Sequence, residues 1–276
     1  MMTDEQLAFI REIVACPDDL MPRLVYADWL EERGDSQGEF VRVQCELTRT
    51  PATAPQYAEL HRRERELLQE HRAEWIASIG SGIRWYQPRH GFIEELIIDI
   101  ETIVETNGQV LERAPILGLG TVVRTLDQAR ALASAPAFAF LRTLRLGGSN
   151  LGEQGLRVLL GVPQLPNLRS LSLSNCGIRT RGASQLTASR RLKQLTLLRL
   201  SQNLIGDAGA EAIARSPELP ELTDLHLEEC GITAAGVRSL IDSPHLQKVK
   251  TLRLSGLYEN QTLRTAVQSR FGPNAW

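Results

Sequence analysis

The chain has 276 residues, 42% of them apolar, with 31 Lys+Arg against 33 Asp+Glu, enough apolar material for a repeat array plus a smaller domain. No run approaches the roughly 18 uninterrupted apolar residues of a membrane-spanning helix. The acidic start Met1-Met2-Thr3-Asp4-Glu5-Gln6 lacks the basic-then-apolar order of a secretory signal, so cytoplasm is the expected compartment.

In chain order, Thr3 or Asp4 caps a helix predicted to run through Cys16, with Leu7, Ile10, Ile13 and Val14 on one face. Pro17-Asp18-Asp19 breaks it. A second helix is expected from about Pro22 to Arg33, opening with proline in its first turn and stopped by Gly34. A third covers about Gly38 to Thr48, and Pro51-Ala52-Thr53-Ala54-Pro55 reads as a linker. Tyr57 to Ile79 is a charged helix with Leu60, Leu67, Leu68, Trp75 and Ile76 available for packing. Residues 1–80 carry 9 basic and 16 acidic side chains, a net of −7; residues 81–276 carry 22 and 17, a net of +5. That asymmetry suits an acidic module on a mildly basic scaffold, or two halves that dock on each other.

The remainder obeys a ruler. Leu141, Leu168, Leu195, Leu222 and Val249 stand at a constant 27-residue spacing, each followed by leucine three and five places on, such as Leu144 and Leu146 or Leu252 and Leu254. Ten places after the opening residue stand Leu151, Ile178, Ile205 and Ile232; fourteen places after it stand Gly155, Gly182, Gly209 and Gly236. L-x-x-L-x-L at a fixed period is the leucine-rich unit. Its first block alternates as a short strand does, and the stretch after the glycine suits a helix. Two weaker units precede these, with strands opening at Ile93 and at residue 114. In the unit from Val249, Leu257 and Leu263 replace the small residue and the glycine, as befits a terminal repeat. Seven strands are expected from about residue 93 to residue 256, then a closing helix near residues 261–270.

The run Arg23-Leu24-Val25-Tyr26-Ala27-Asp28-Trp29-Leu30-Glu31-Glu32-Arg33-Gly34-Asp35, followed by Gly38-Glu39-Phe40 and preceded by Thr3-Asp4-Glu5-Gln6 and Pro17-Asp18-Asp19, closely resembles the bacterial repeat-companion domain. That short N-terminal module is found ahead of leucine-rich or other repeats, and the likeness covers about residues 2–49. Arg89-His90-Gly91-Phe92-Ile93 looks like the junction seen in such proteins, and the repeats are similar to the ribonuclease-inhibitor class. The resemblance implies architecture and carries no activity with it. The expected fold is α/β: a leucine-rich-repeat horseshoe of about seven parallel strands with outer helices, preceded by a small all-α module. Three regions follow: residues 1–50 as the helical companion module, 51–92 as linker, charged helix and N-terminal cap, and 93–276 as the solenoid with its closing helix.

Chemistry finds little to stand on. Cys176 and Cys230 share the eighth offset of their repeats with Ser149 and Asn203, a position that turns inward and bonds loop backbone. Two repeats apart is roughly 9–10 Å, beyond disulfide reach. Asp28, Glu31, Glu32, Asp35 and Glu39 form the densest carboxylate cluster; they either hold a hard cation or make a solvated helix end with Asp28 tied to Arg23 or to backbone. Cys16-Pro17-Asp18 is similar to the nucleophile of some bacterial leucine-rich ubiquitin ligases. A helix C-terminus raises a thiol's pKa, however, and their large catalytic domain is missing. No phosphate-binding loop, dinucleotide fingerprint or nucleophile elbow occurs. No enzyme activity, cofactor or metal is expected.

The strand face is where a site is expected, because residues at offsets two, four and six point away from the core. Offset four reads Arg145, Ser172, Arg199, His226, Arg253 through the five regular repeats, and Asp224 and Glu228 bracket His226. Arg145, Arg199, Asp224, His226, Glu228 and Arg253 are therefore the candidate binding residues, on the concave side of the horseshoe. The arginines either accept a carboxylate-rich protein segment, solubilise an idle face, or pair internally with Asp224 and Glu228. The expected function is a protein-interaction scaffold whose partner carries acidic segments. Regulation of an enzyme such as a small GTPase is an alternative by analogy of fold, and a metal-binding or catalytic role for the N-terminal module is a further one. With three lysines and a net charge of −2, nucleic acid is disfavoured, and oligomeric state is not indicated.

Overall fold

The computed structural model describes residues 2–161, 165–256 and 261–273. The chain divides into two compact units, Met1–Leu119 and Gly120–Trp276.

In the first unit, α1 (Asp4–Ala15) opens with a reciprocal capping box. Gln6 N–H donates to Thr3 Oγ1, and Thr3 N–H donates to the Gln6 side chain at 3.0 Å, so two orphan donors are satisfied at once. Next come α2 (Met21–Glu31), α3 (Gln37–Arg49) and α4 (Tyr57–Ile79). Their apolar stripes are buried: Ile10, Ile13 and Val14 on α1, Tyr26, Ala27 and Leu30 on α2, Phe40, Val41 and Val43 on α3. On α4 the buried residues are Leu67, Trp75 and Ile79, while Leu60, Leu68 and Ile76 are partly covered. Phe40 and Trp75 stack with centroids 4.6 Å apart in a cluster with Val43 and Leu67. Arg63 on α4 grips Glu39 on α3 with two bonds of 2.6 and 2.7 Å.

Residues 83–89 were expected to belong to a linker and cap. They form strand β1 (Ile83–Arg89), antiparallel to β2 (Phe92–Ile98). His90 (φ 49°) and Gly91 (φ 85°) supply the two left-handed residues of the connection, a turn whose twist matches that of the strands. The turn is pressed against α3. A Cβ on Gly91 would lie 2.3 Å from the Val41 Cα. Gly91 N–H donates to Gln44 Oε1 at 2.6 Å, and its carbonyl accepts from Gln37 Nε2 at 3.1 Å.

A buried ion pair joins α2 to β2. Arg23 is fully buried and donates to Glu94 at 2.5 Å and to the Asp19 carbonyl at 3.0 Å; His90 Nδ1 lies 3.3 Å from the same Glu94 oxygen. The expected tie between Arg23 and Asp28 is therefore replaced. Arg23 shares a helix face with Tyr26, Ala27 and Leu30, whereas Asp28 points to solvent and is held by Arg42, which also reaches Glu31 at 2.8 Å. Helix α5 (Ile100–Glu105) and strand β3 (Gly118–Gly120) follow, so β2 and β3 stand where the two weaker repeat registers put strands.

The second unit alternates helix and strand: α6 (Leu126–Ser134), β4 (Thr143–Arg145), α7 (Gly152–Gly161), β5 (Ser170–Ser172), α8 (Thr180–Thr187), β6 (Leu197–Arg199), α9 (Gly206–Ala214), β7 (Asp224–Leu227), α10 (Ala234–Ile241), β8 (Thr251–Leu254) and α11 (Gln261–Phe271). Strands β4 to β8 pair parallel in chain order, each residue opposite the one 27 places on: Leu144, Leu171, Leu198, Leu225 and Leu252 form one continuous row. These leucines and the opening residues of each unit are at most 4% exposed. The repeating glycine has a packing cause. A Cβ on Gly182 would meet Ile178 at 2.6 Å and one on Gly209 would meet Ile205 at 2.7 Å, so glycine lets each helix settle on the apolar residue of its own loop. Helix α11 lies where the closing helix was expected, and Leu257 falls outside the described residues. The fold is α/β, a leucine-rich-repeat solenoid with parallel strands and outer helices behind a helical N-terminal region. Among the described residues no helix is long and apolar enough to cross a membrane.

Candidate functional site

The strand face of the second unit is held by a ladder of bonds at the eighth offset. Asn203, 1% exposed, accepts from the N–H groups of Cys176 and Ile178 at 3.0 Å each, and donates to the carbonyls of Leu173 and Leu200 at 2.8 Å each. Cys176 and Cys230 donate their thiols to Leu146 O at 3.0 Å and Leu200 O at 3.2 Å. Ser149 accepts from the Val123 N–H at 2.9 Å. Each side chain therefore ties its loop to the repeat before it, as the inward-turning position implied. Burial pushes both thiols up to about 11, and all four cysteines are free.

On this frame the fourth offset forms one register row, Arg145–Ser172–Arg199–His226–Arg253. Arg145 and Arg199 are half-buried and Arg253 is exposed. At roughly 4.7–4.9 Å per strand, the arginines recur about every 9.4–9.8 Å. A second row, Thr143–Ser170–Leu197–Asp224–Thr251, runs beside it in the same register.

His226, expected on the open face, is only 8% exposed. Desolvation holds its pKa below the usual histidine value, and the neighbouring Arg199 and Arg253 charges add to that; Glu228 and Asp224 pull the other way. A ring between two guanidinium groups in a half-closed site stays neutral at neutral pH. Asp224 accepts from Thr223 Oγ1 at 2.6 Å, and Glu228 accepts from Ser201 Oγ. Among the described residues neither carboxylate lies within ion-pair distance of Arg199 or Arg253, so internal pairing of those two arginines is absent. Arg145 has an interaction in its own surroundings.

Within the first unit, the outward offsets of the register that opens at residue 114 are covered. Ile116, at an outward offset, is 1% exposed, and the Glu95 side chain lies over Gly118, where a Cβ would meet its Cγ at 2.6 Å. The row of open positions therefore belongs to the regular repeats.

The carboxylate cluster of the N-terminal helices is consumed locally. Arg42 holds Asp28 and Glu31, Arg63 holds Glu39, and Asp35 accepts from the Gln37 N–H at 2.9 Å. Among the described residues no three His, Cys, Asp or Glu side chains are grouped to hold a metal ion. Cys16 is exposed at the end of α1. Spacing missed the buried Arg23–Glu94 pair. A signal was available: an arginine with Tyr26, Ala27 and Leu30 three, four and seven places on must sit on the apolar face of its helix.

A family model described as Leucine Rich repeat matches residues 164–186, 193–214 and 219–240. No curated protein matches. Among solved structures, the chain is similar to an internalin (inlF) from Listeria monocytogenes str. 4b F2365, with 13% identity and a TM-score of 0.32, over 56% of this chain and 47% of that chain. The match thus spans about half the length of that internalin chain.

Proposed function

We propose that this protein is a non-catalytic interaction scaffold that takes a protein partner on the exposed strand face of its leucine-rich repeats, through Arg145, Arg199, His226 and Arg253 with Asp224 and Glu228 beside them. The single observation that carries the reading is the register row: three arginines on alternate strands, two of them without a carboxylate partner among the described residues. Guanidinium groups present planar forks that suit carboxylates, so the partner contributes acidic side chains. The same reading takes residues 1–50 as a repeat-companion module, 51–92 as linker, charged helix and cap, and 93–276 as a ribonuclease-inhibitor-type solenoid working in a bacterial cytoplasm. The helical span of α1 to α3 and the motif residues of α2 support the first part, and the 27-residue period supports the last.

Affinity capture from cytosol, comparing the natural chain with the Arg145→Glu, Arg199→Glu, Arg253→Glu triple variant, tests it. The variant is expected to keep its circular dichroism and lose the captured partner. Equal capture by both would remove the strand face from the function.

A further inference from the structure

We infer that the segment taken by this face is an extended acidic strand in the polyproline II conformation, crossing the β-strands, with a carboxylate at every third residue and no acid between. The inference rests on the reading of the strand face as the binding surface and adds the pattern the partner must carry.

Arg199 and Arg253 lie on β6 and β8, in one register row and separated by the single strand β7. Two strand spacings are about 9.4–9.8 Å. A polyproline II segment rises ~3.1 Å per residue with three residues per turn. Every third side chain therefore points the same way, about 9.3 Å from the last. An α-helix laid across the strands returns to the same face after seven residues, roughly 10.5 Å, and drifts from the arginines by about 1 Å per repeat. A β-conformation puts same-face residues about 6.6 Å apart, which skips the arginines altogether.

Repulsion sharpens what distance suggests. Between the two arginines stands His226, kept neutral, with Asp224 on one side and Glu228 on the other. A partner carboxylate placed above β7 would meet both acids with no cation directly beneath it. A run of consecutive acids would suffer that contact, whereas an acid at every third residue would avoid it, so the face selects against an unpatterned polyacid as well as for a patterned one. Between Arg145 and Arg199 the crossing strand offers only Ser170, Ser172 and Ser174, all partly open. Their small hydroxyl side chains leave room for a backbone and donors for its carbonyls. Arg145 already has an interaction of its own, so the Arg199–Arg253 end carries most of the recognition.

Three synthetic peptides of about nine residues and equal charge decide the matter: glutamate at every third position in a proline–alanine background, glutamate at alternate positions, and the same glutamates in one block. Binding to the full chain is read by fluorescence anisotropy at low and physiological salt. The third-position peptide is expected to bind roughly tenfold more tightly than either isomer, to lose that advantage with Arg199→Glu or Arg253→Glu, and the block peptide is expected to recover part of the gap on a chain carrying Asp224→Asn and Glu228→Gln. Equal binding by all three peptides would overturn the pattern while leaving an acidic partner in place. So would preference for the alternating or block peptide, or no peptide binding by a chain whose partner capture still depends on the arginines. Peptide binding that ignores the arginine variants would overturn the pattern and the strand-face reading together.

Discussion

Asn203 shows how much one side chain can do when all of its hydrogen-bonding capacity is used inside the protein. Its amide closes two loops, accepting from Cys176 and Ile178 and donating to Leu173 and Leu200. Asn203→Ala leaves the Cys176 and Ile178 N–H groups and the Leu173 carbonyl unpaired, while Leu200 O keeps the Cys230 thiol, and each unsatisfied group costs about 1–3 kcal/mol. Urea unfolding is expected to report a loss of at least ~2 kcal/mol, and a loss below ~0.5 kcal/mol would mean water replaces the amide. Asp207 acts at the surface. Its carboxylate accepts from Thr233 N–H at 2.7 Å, from Thr233 Oγ1 at 2.6 Å and from Gly236 N–H at 3.1 Å, capping the start of α10 from the neighbouring repeat. The Thr233 hydroxyl, then its N–H, hold the carboxyl below its usual pKa. The folded state thus favours the charged form. Its contribution is complete above the unfolded value, about 3.9, and is lost as pH falls through the lower folded value. Asp207→Ala is expected to cost ~1 kcal/mol at neutral pH, with the gap to the natural chain closing below about pH 4. A gap that stays constant into strong acid would show the bonds do not depend on the charge.

Elements differ in how openly the sequence displays them. Helices α1 to α4 were legible because apolar residues recur at 3.6-residue spacing and the ends carry punctuation, Thr3 with Gln6 at one boundary and proline at others. The regular strands were legible because five of them repeat the same two leucines. Strand β1 was not. Its residues are Ile83-Arg84-Trp85-Tyr86-Gln87-Pro88-Arg89, none buried, with a proline that ordinarily marks an edge or a break. Its existence depends on β2 and on the Gly91 turn seating against Val41, a contact between residues 50 positions apart that no local pattern announces. The register row Arg145–Ser172–Arg199–His226–Arg253 was legible from the 27-residue spacing. The burial of His226 was not: alternation along the strand puts it on the outward face, yet it is only 8% exposed. The Arg23–Glu94 pair makes the coupling of α2 to β2 measurable. Glu94→Ala leaves a fully buried guanidinium with one carbonyl partner and is expected to cost ~3–5 kcal/mol, seen as a lower denaturation midpoint. Replacing both residues with well-packed apolar ones is expected to recover most of it.

Across the whole chain, charge is divided as the fold is. Residues 1–119 hold 12 basic and 22 acidic side chains, a net of −10, and residues 120–276 hold 19 and 11, a net of +8. The contrast is larger than a boundary at residue 80 suggests, because Glu94, Glu95, Asp99, Glu101, Glu105 and Glu112 fall on the acidic side. On the proposed reading, a partner with acidic side chains would be drawn by the net positive charge of the second unit as well as by three arginines. Its association rate is expected to fall severalfold between ~0.05 and ~0.3 M salt, since exposed charges are screened over about 8 Å at physiological ionic strength. Stopped-flow mixing would show it, and a salt-independent rate would confine the attraction to contact range.

The seating of the Gly91 turn also decides where this protein can be cut. A fragment trimmed after α4, the boundary a helix count recommends, would strip Arg23 of its carboxylate and leave Gln37, Gln44 and the Val41 groove facing water. The hairpin belongs to the helices as their lid, so the shortest self-sufficient N-terminal piece must reach beyond Ile98. Any gene shuffling that moved the helical module onto a new array would have had to carry this lid along.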